Sequence, residues 1–128
     1  MLDWLRPYCM SFPHATESIQ WGEHLVFKVA GKVFAITSFE PGPHVLTIKC
    51  APEKFGDFVE RPGVVPAPYL ARAKWIALES EDALPRAELK SVIRESYELV
   101  WAKLPKKTRE ALQRPPKQST RAARPRPR

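Results

Sequence analysis

Leu25-Val26-Phe27-Lys28-Val29-Ala30-Gly31-Lys32-Val33-Phe34-Ala35-Ile36 is the stretch whose reading decides the fold. Two runs rich in β-branched and aromatic residues flank Ala30–Gly31. That pattern reads as a tight β-hairpin, with Gly31 supplying the positive φ that such turns require. Alternation along a strand sends successive side chains to opposite faces. Leu25, Phe27 and Val29 then suit a buried face, and Val26 and Lys28 the other.

Outward from the hairpin, the upstream residues from Ser18 are also strand-like. Downstream, Glu40-Pro41-Gly42-Pro43 breaks the chain, and His44–Cys50 forms a further strand. In it, Leu46, Ile48 and Cys50 face the core while Val45, Thr47 and Lys49 face away. Lys74–Glu79 repeats the pattern, with Ile76 and Leu78 inward and Trp75 and Ala77 outward.

Helical spacing appears in three places. Leu2, Leu5, Cys9 and Phe12 mark a short helix over Asp3–Ser11, ended by Pro13, with Trp4 and Tyr8 as core packing. Pro52 opens a second helix running to Arg61, with Phe55, Phe58 and Val59 on its apolar face. Pro85 begins the longest helix, to about Leu104, with Leu89, Val92, Ile93, Ser96, Val100 and Leu104 as its buried stripe. Residues 62–68 form a proline-rich surface loop. The order predicts an α+β fold: a two-layer sandwich with helices packed on one face of an antiparallel sheet.

The charge is unevenly distributed. The chain of 128 residues carries +7, with a pI of about 9.7. Residues 105–128 hold nine Lys or Arg against the single acid Glu110, so residues 1–104 carry a net −1. The expected organisation is a near-neutral domain over 1–104 and a basic, disordered Pro/Arg-rich tail over 105–128. The stretch 114–128 has four prolines, six basic residues, no acid and no large apolar residue. Such a composition cannot bury enough surface to offset ordering, and it reads as disordered. No apolar run reaches the length needed to cross a bilayer, and MLDWLRPYCM lacks a signal-peptide h-region. The expected compartment is the cytoplasm, where Cys9 and Cys50 would be buried free thiols.

Several elements together resemble the MmcQ/YjbR family. They are Cys9 and Pro13, Trp21-Gly22, Phe27-Lys28-Val29 and Gly31-Lys32-Val33-Phe34-Ala35. They continue with Leu46-Thr47-Ile48-Lys49, Pro52-Glu53, Pro66-Ala67, Tyr69, Trp75 and Ser96-Tyr97. The resemblance covers about residues 5–104 and implies a CyaY-like (frataxin-like) two-layer fold. It also carries the family's "double wing" DNA-binding label. The tail lies outside it.

No motif assembles a catalytic set. HExxH, paired CxxC, G-x-S-x-G, P-loop and G-x-G-x-x-G patterns are all missing, so no enzyme, metal site or cofactor is expected. His14, His24 and His44 read as solvated loop histidines. Face sorting gathers Lys28, Lys49 and Trp75 on the open face, with Lys32 at the turn and Lys74 reaching round from the strand end. Lysines can neutralise phosphates while an aromatic ring stacks on a partner. The competing reading packs Trp75 beneath Tyr69 or the 62–68 loop. The leading expectation is a monomeric, non-enzymatic protein that binds double-stranded DNA largely nonspecifically. Its contacts would come from Lys28, Lys32, Lys49, Lys74 and Trp75, supplemented by Lys106, Lys107 and Arg109. The alternative is a protein-interaction or chaperone-like module using the open face around Trp75 and Tyr69. A third, metal handling, would need Glu17, Glu23, Asp57 and Glu60, or Glu79, Glu81 and Asp82, to be gathered by the fold.

Overall fold

The computed structural model describes residues 1–113. The expectation of disorder for 114–128 lies outside the described residues. The elements follow in the order α1 (Leu2–Met10), β1 (Ala15–Gln20), β2 (His24–Val29), β3 (Lys32–Ser38), β4 (Leu46–Lys49), α2 (Pro52–Val59), β5 (Val64–Pro66), β6 (Trp75–Leu78), α3 (Arg86–Ala102) and α4 (Lys106–Gln113). The six strands form one antiparallel sheet in the order β1-β2-β3-β4-β6-β5. Helix α3 packs across β2, β3 and β4, α2 against β5 and β6, and α1 beside β1. The α+β sandwich expected from the sequence is the fold observed.

The strand faces follow the alternation, except that Val45, which precedes β4, packs against the main core rather than on the open face. Leu25, Phe27, Val29, Leu46, Ile48, Ile76 and Leu78 join Leu89, Ile93 and Val100 of α3, and Leu5 and Cys9 of α1, in the main core. Cys9 and Cys50 are buried free thiols. Two side-chain bonds fasten α1 and the residues after it to α3. The Tyr8 hydroxyl donates to the Lys90 carbonyl at 2.8 Å, and the Tyr97 hydroxyl to the Pro13 carbonyl at 2.7 Å.

The expected 62–68 loop instead contains strand β5, paired with β6, and three further features depart from the sequence reading. The strand-like run from Ser18 is two strands, divided by a turn in which Trp21 and Gly22 have φ of 54° and 83°. Lys106–Gln113, placed in the tail by composition, is helical. KKTREALQ contains mostly good helix formers, Lys106 and Glu110 pair at 3.9 Å, and the Arg109 side chain donates to the Leu104 carbonyl. The third is a β-bulge. Phe27 pairs with Ala35 while Lys28 pairs with Val33, which makes Phe34 an extra residue. Both Phe34 and Ala35 therefore reach the core, which strict alternation forbids.

The bulge has a partner on α3. Strands β3 and β4 pair only over Ala35–Thr37 and Leu46–Ile48. Where the ladder stops, the fully buried Ser96 hydroxyl donates to the Phe34 carbonyl at 2.6 Å and accepts from the Lys49 N–H at 2.9 Å. A serine in the middle of an apolar stripe thus completes the gap between two strands.

Two stability predictions follow. Ser96→Ala strands a buried carbonyl and a buried N–H, and chemical denaturation should show a loss of about 2–4 kcal/mol. Ala30 occupies the left-handed region with φ 52°, beside Gly31 at 79°, the pair of signs a type I′ turn requires. Ala30→Asn should raise stability by roughly 0.5–1 kcal/mol in the same measurement, because asparagine tolerates that region better.

Candidate nucleic-acid interface

Past the Ser96 bridge, β3 and β4 diverge, and the last turn of α3 fills the space behind them. A cleft of about 350 Å³ results, lined by Lys32, Val33, Lys49, Trp75, Val100, Lys103 and Leu104. Three ammonium side chains and four apolar ones therefore share one small concavity. Lys32 comes from the first residue of β3, set by the hairpin turn. Lys49 comes from the last residue of β4, opposite Trp75 of β6. Lys103 is the C-cap of α3, where a cation complements the helix dipole.

The electrostatics of this cleft are unbalanced. Several basic groups elsewhere find carboxylates, among them Arg6 with Glu17, Lys54 with Glu95, and Arg61 with Glu88. Among the described residues, no carboxylate pairs with Lys32, Lys49 or Lys103. The Lys49 ammonium donates only to the Ala73 carbonyl, at 3.3 Å. Burial, and then the nearby charge of Lys103, holds the Lys49 ammonium below the ordinary lysine range. Its charged form is thus disfavoured in the folded state, a cost that fades as pH rises through its folded-state pKa. An anion in the cleft would relieve that cost.

The other expected contacts are distributed differently. Trp75 does lie on the face opposite the helices, but it is only 9% exposed. It packs with Ala67, Ala77, Val33, Val65 and Leu70 in a second small cluster. The reading of Trp75 as a free stacking platform is therefore corrected: the chain between β5 and β6 covers it, and only part of it reaches the cleft. Tyr69 is not its cover, being fully exposed. Lys28 sits on the outer face opposite Thr16 and Val33 and does not line the cleft. Lys74 has φ 66° and caps the short 3₁₀ turn Ala71–Ala73. Its ammonium lies 4.9 Å above the Phe55 ring, so it serves α2 rather than the cleft. Lys106 and Lys107 are exposed on the first turn of α4, immediately beyond Leu104 and Pro105, and Arg109 is half-buried. The structure thus groups Lys32 and Lys49, separates Lys28 and Lys74, and adds Lys103. Helical spacing alone places Lys103 only at the end of the longest helix. Its place in the cleft follows from the angle at which α3 crosses the sheet, which no local pattern encodes.

Other chemistry has little foothold. Burial pushes the Cys9 thiol up to about 12 and the Cys50 thiol up to about 11, which suppresses thiolate formation. Among the described residues, no three His, Cys, Asp or Glu side chains gather as a metal site. The Glu81 carboxylate instead accepts from the Trp4 indole and pairs with Arg86 and the N-terminal amine. His24 is not a solvated loop residue. It opens β2, half-buried, and its Nδ1 is buried without a partner. No described helix is long and apolar enough to cross a membrane.

The comparisons with known proteins agree with the architecture. A crystal structure of Deinococcus radiodurans protein DR2400, with the family-model domain DUF419, matches at TM-score 0.80 and 29% identity, covering 90% of this chain and 89% of that one. A crystal structure of a Pseudomonas syringae protein matches at TM-score 0.61 and 21% identity, over 73% of this chain and 93% of that one; it bears on the fold alone. No functionally curated protein matches. The YjbR family model matches residues 10–99, from the end of α1 well into α3, and the chain belongs to the YjbR family.

Proposed function

We propose that this YjbR-family chain is a small, non-enzymatic protein that binds double-stranded DNA through its phosphates. The observation that carries the reading is the convergence of Lys32, Lys49 and Lys103 on one cleft without a carboxylate partner among the described residues. Crowded cations of this kind gain most from an anion that bridges them. A phosphate backbone offers such anions at regular spacing, and its binding releases condensed counterions.

Lysine, unlike arginine, makes no rigid bidentate fork, so these contacts position a duplex rather than read its bases. Lys106 and Lys107 extend the basic path from Lys103 along α4. The six basic residues of 114–128 would add nonspecific affinity. The net −1 of residues 1–104 does not oppose this, because close-range attraction depends on where charge sits. The alternative of a protein-binding face centred on Trp75 loses its anchor, since that ring is buried.

The test is a salt titration of duplex-DNA binding by the full chain. Lys49→Gln with Lys103→Gln should weaken binding about tenfold or more at low salt and flatten the log–log salt slope by roughly 2. Affinity should also fall as pH rises toward the lysine range, and earlier than it does for the double variant. Anion binding favours protonated Lys49, whose pKa in the free protein is depressed. An unchanged affinity and slope in the double variant would exclude the cleft as the binding surface.

A further inference from the structure

A second concavity lies on the sheet face opposite the helices. It has a volume of about 600 Å³. Ile36 of β3 and Thr47 of β4 lie at its floor. The turn before β2 supplies Trp21 and Glu23 on one side, and the loop after β5 supplies Tyr69 on the other. Glu40 and Pro43 lie on a third segment, between β3 and β4.

Two independent features mark this groove. Trp21 and Tyr69 are 67% and 103% exposed, although aromatic rings of this size are normally at least half covered. Both also occupy the left-handed backbone region, at φ 54° and 65°, a strained conformation for aromatic residues that persists where the surroundings impose it. The groove is also charged with one sign: two carboxylates line it, and no lysine or arginine does.

Exposed Trp and Tyr beside prolines and acids suit a proline- and arginine-rich strand. Proline rings stack on aromatic faces in an extended polyproline conformation, and guanidinium groups pair with carboxylates or cover aromatic rings. The chain carries a segment of that composition. Residues 114–128 contain four prolines and six basic residues with no acid, ending Arg124-Pro125-Arg126-Pro127-Arg128. Fifteen residues at the polyproline rise span about 45 Å. That is more than three times the roughly 13 Å radius of gyration expected for a domain this size. We infer that the groove between Trp21 and Tyr69 is a docking site for residues 114–128 of the same chain, with their arginines paired to Glu23 and Glu40. A duplex would attract the same arginines, so docking and nonspecific DNA binding would compete for the tail.

The test uses the full chain and nuclear magnetic resonance of the Trp21 indole and the Tyr69 amide. Replacing Arg121, Arg124 and Arg126 together by serine should move both signals and leave the remote Trp101 indole in place. Adding a synthetic peptide of residues 114–128 to that variant should return them toward the parent positions. Glu23→Gln with Glu40→Gln, added to that variant, should weaken the peptide's binding about three- to tenfold. Coincident Trp21 and Tyr69 signals in the parent and arginine-to-serine chains would overturn the inference. So would signals in the parent that move with protein concentration, which would place the tail on a second copy. The cleft lysines are untouched in every variant, so this result is independent of the DNA-binding test.

Discussion

The Ser96 hydroxyl holds together the part of the molecule on which the rest depends. It replaces the next rung of the β3–β4 ladder with a bridge from α3, satisfying the Phe34 carbonyl and the Lys49 N–H in one contact. The bulge at Phe34 can then put two consecutive side chains into the core. The strands can also part beyond Ala35 and Ile48 without leaving buried backbone groups unpaired. The same contact fixes the depth and rotation of α3 against the sheet. Val100, Lys103 and Leu104, one and two turns further on, come to rest beside Lys32 and Lys49 as a consequence. A local hydrogen-bonding need and the shape of the candidate interface therefore share one origin.

Electrostatics gives that shape its meaning. A pI of about 9.7 describes the whole chain and says little about its folded part. Within that part several exposed cations, Arg6, Lys54, Arg61, Arg86 and Arg94, have carboxylate neighbours, which at solvent-exposed positions settle orientation more than stability. The cleft departs from this pattern by holding three lysines around apolar walls, one of them half-buried and disfavoured as a cation. The opposite-signed groove beside Trp21 and Tyr69 gives the body a polar asymmetry. The strongly basic C-terminal segment follows α4 in the chain.

Much of the architecture was legible in the sequence because strand alternation is a strict geometric rule. Leu25, Phe27, Leu46, Ile48, Ile76 and Leu78 all lie on the face assigned to them. The stripe of α3 was legible as well, including Ser96, although its role was not. What the pattern could not convey was set by contacts distant in the chain. Phe34 and Ala35 both face inward because of a bulge, and Trp75 is buried because a loop from the neighbouring strand covers it. Lys103 enters the cleft through the packing angle of its helix. Lys74 leaves the expected set because a left-handed backbone turns it onto Phe55. The helix over Lys106–Gln113 was hidden by the charge of its surroundings, which read as tail before its alanine, leucine and glutamate were weighed.

The most direct measurement is the titration of the Lys49 side chain, followed by NMR at its ε-carbon, in the free protein and with a saturating DNA duplex. The cleft account predicts a pKa below the ordinary lysine range in the free protein. It predicts a rise on addition of DNA, as phosphate replaces the missing counter-charge. A Lys49 titration that is unaffected by the duplex would contradict it.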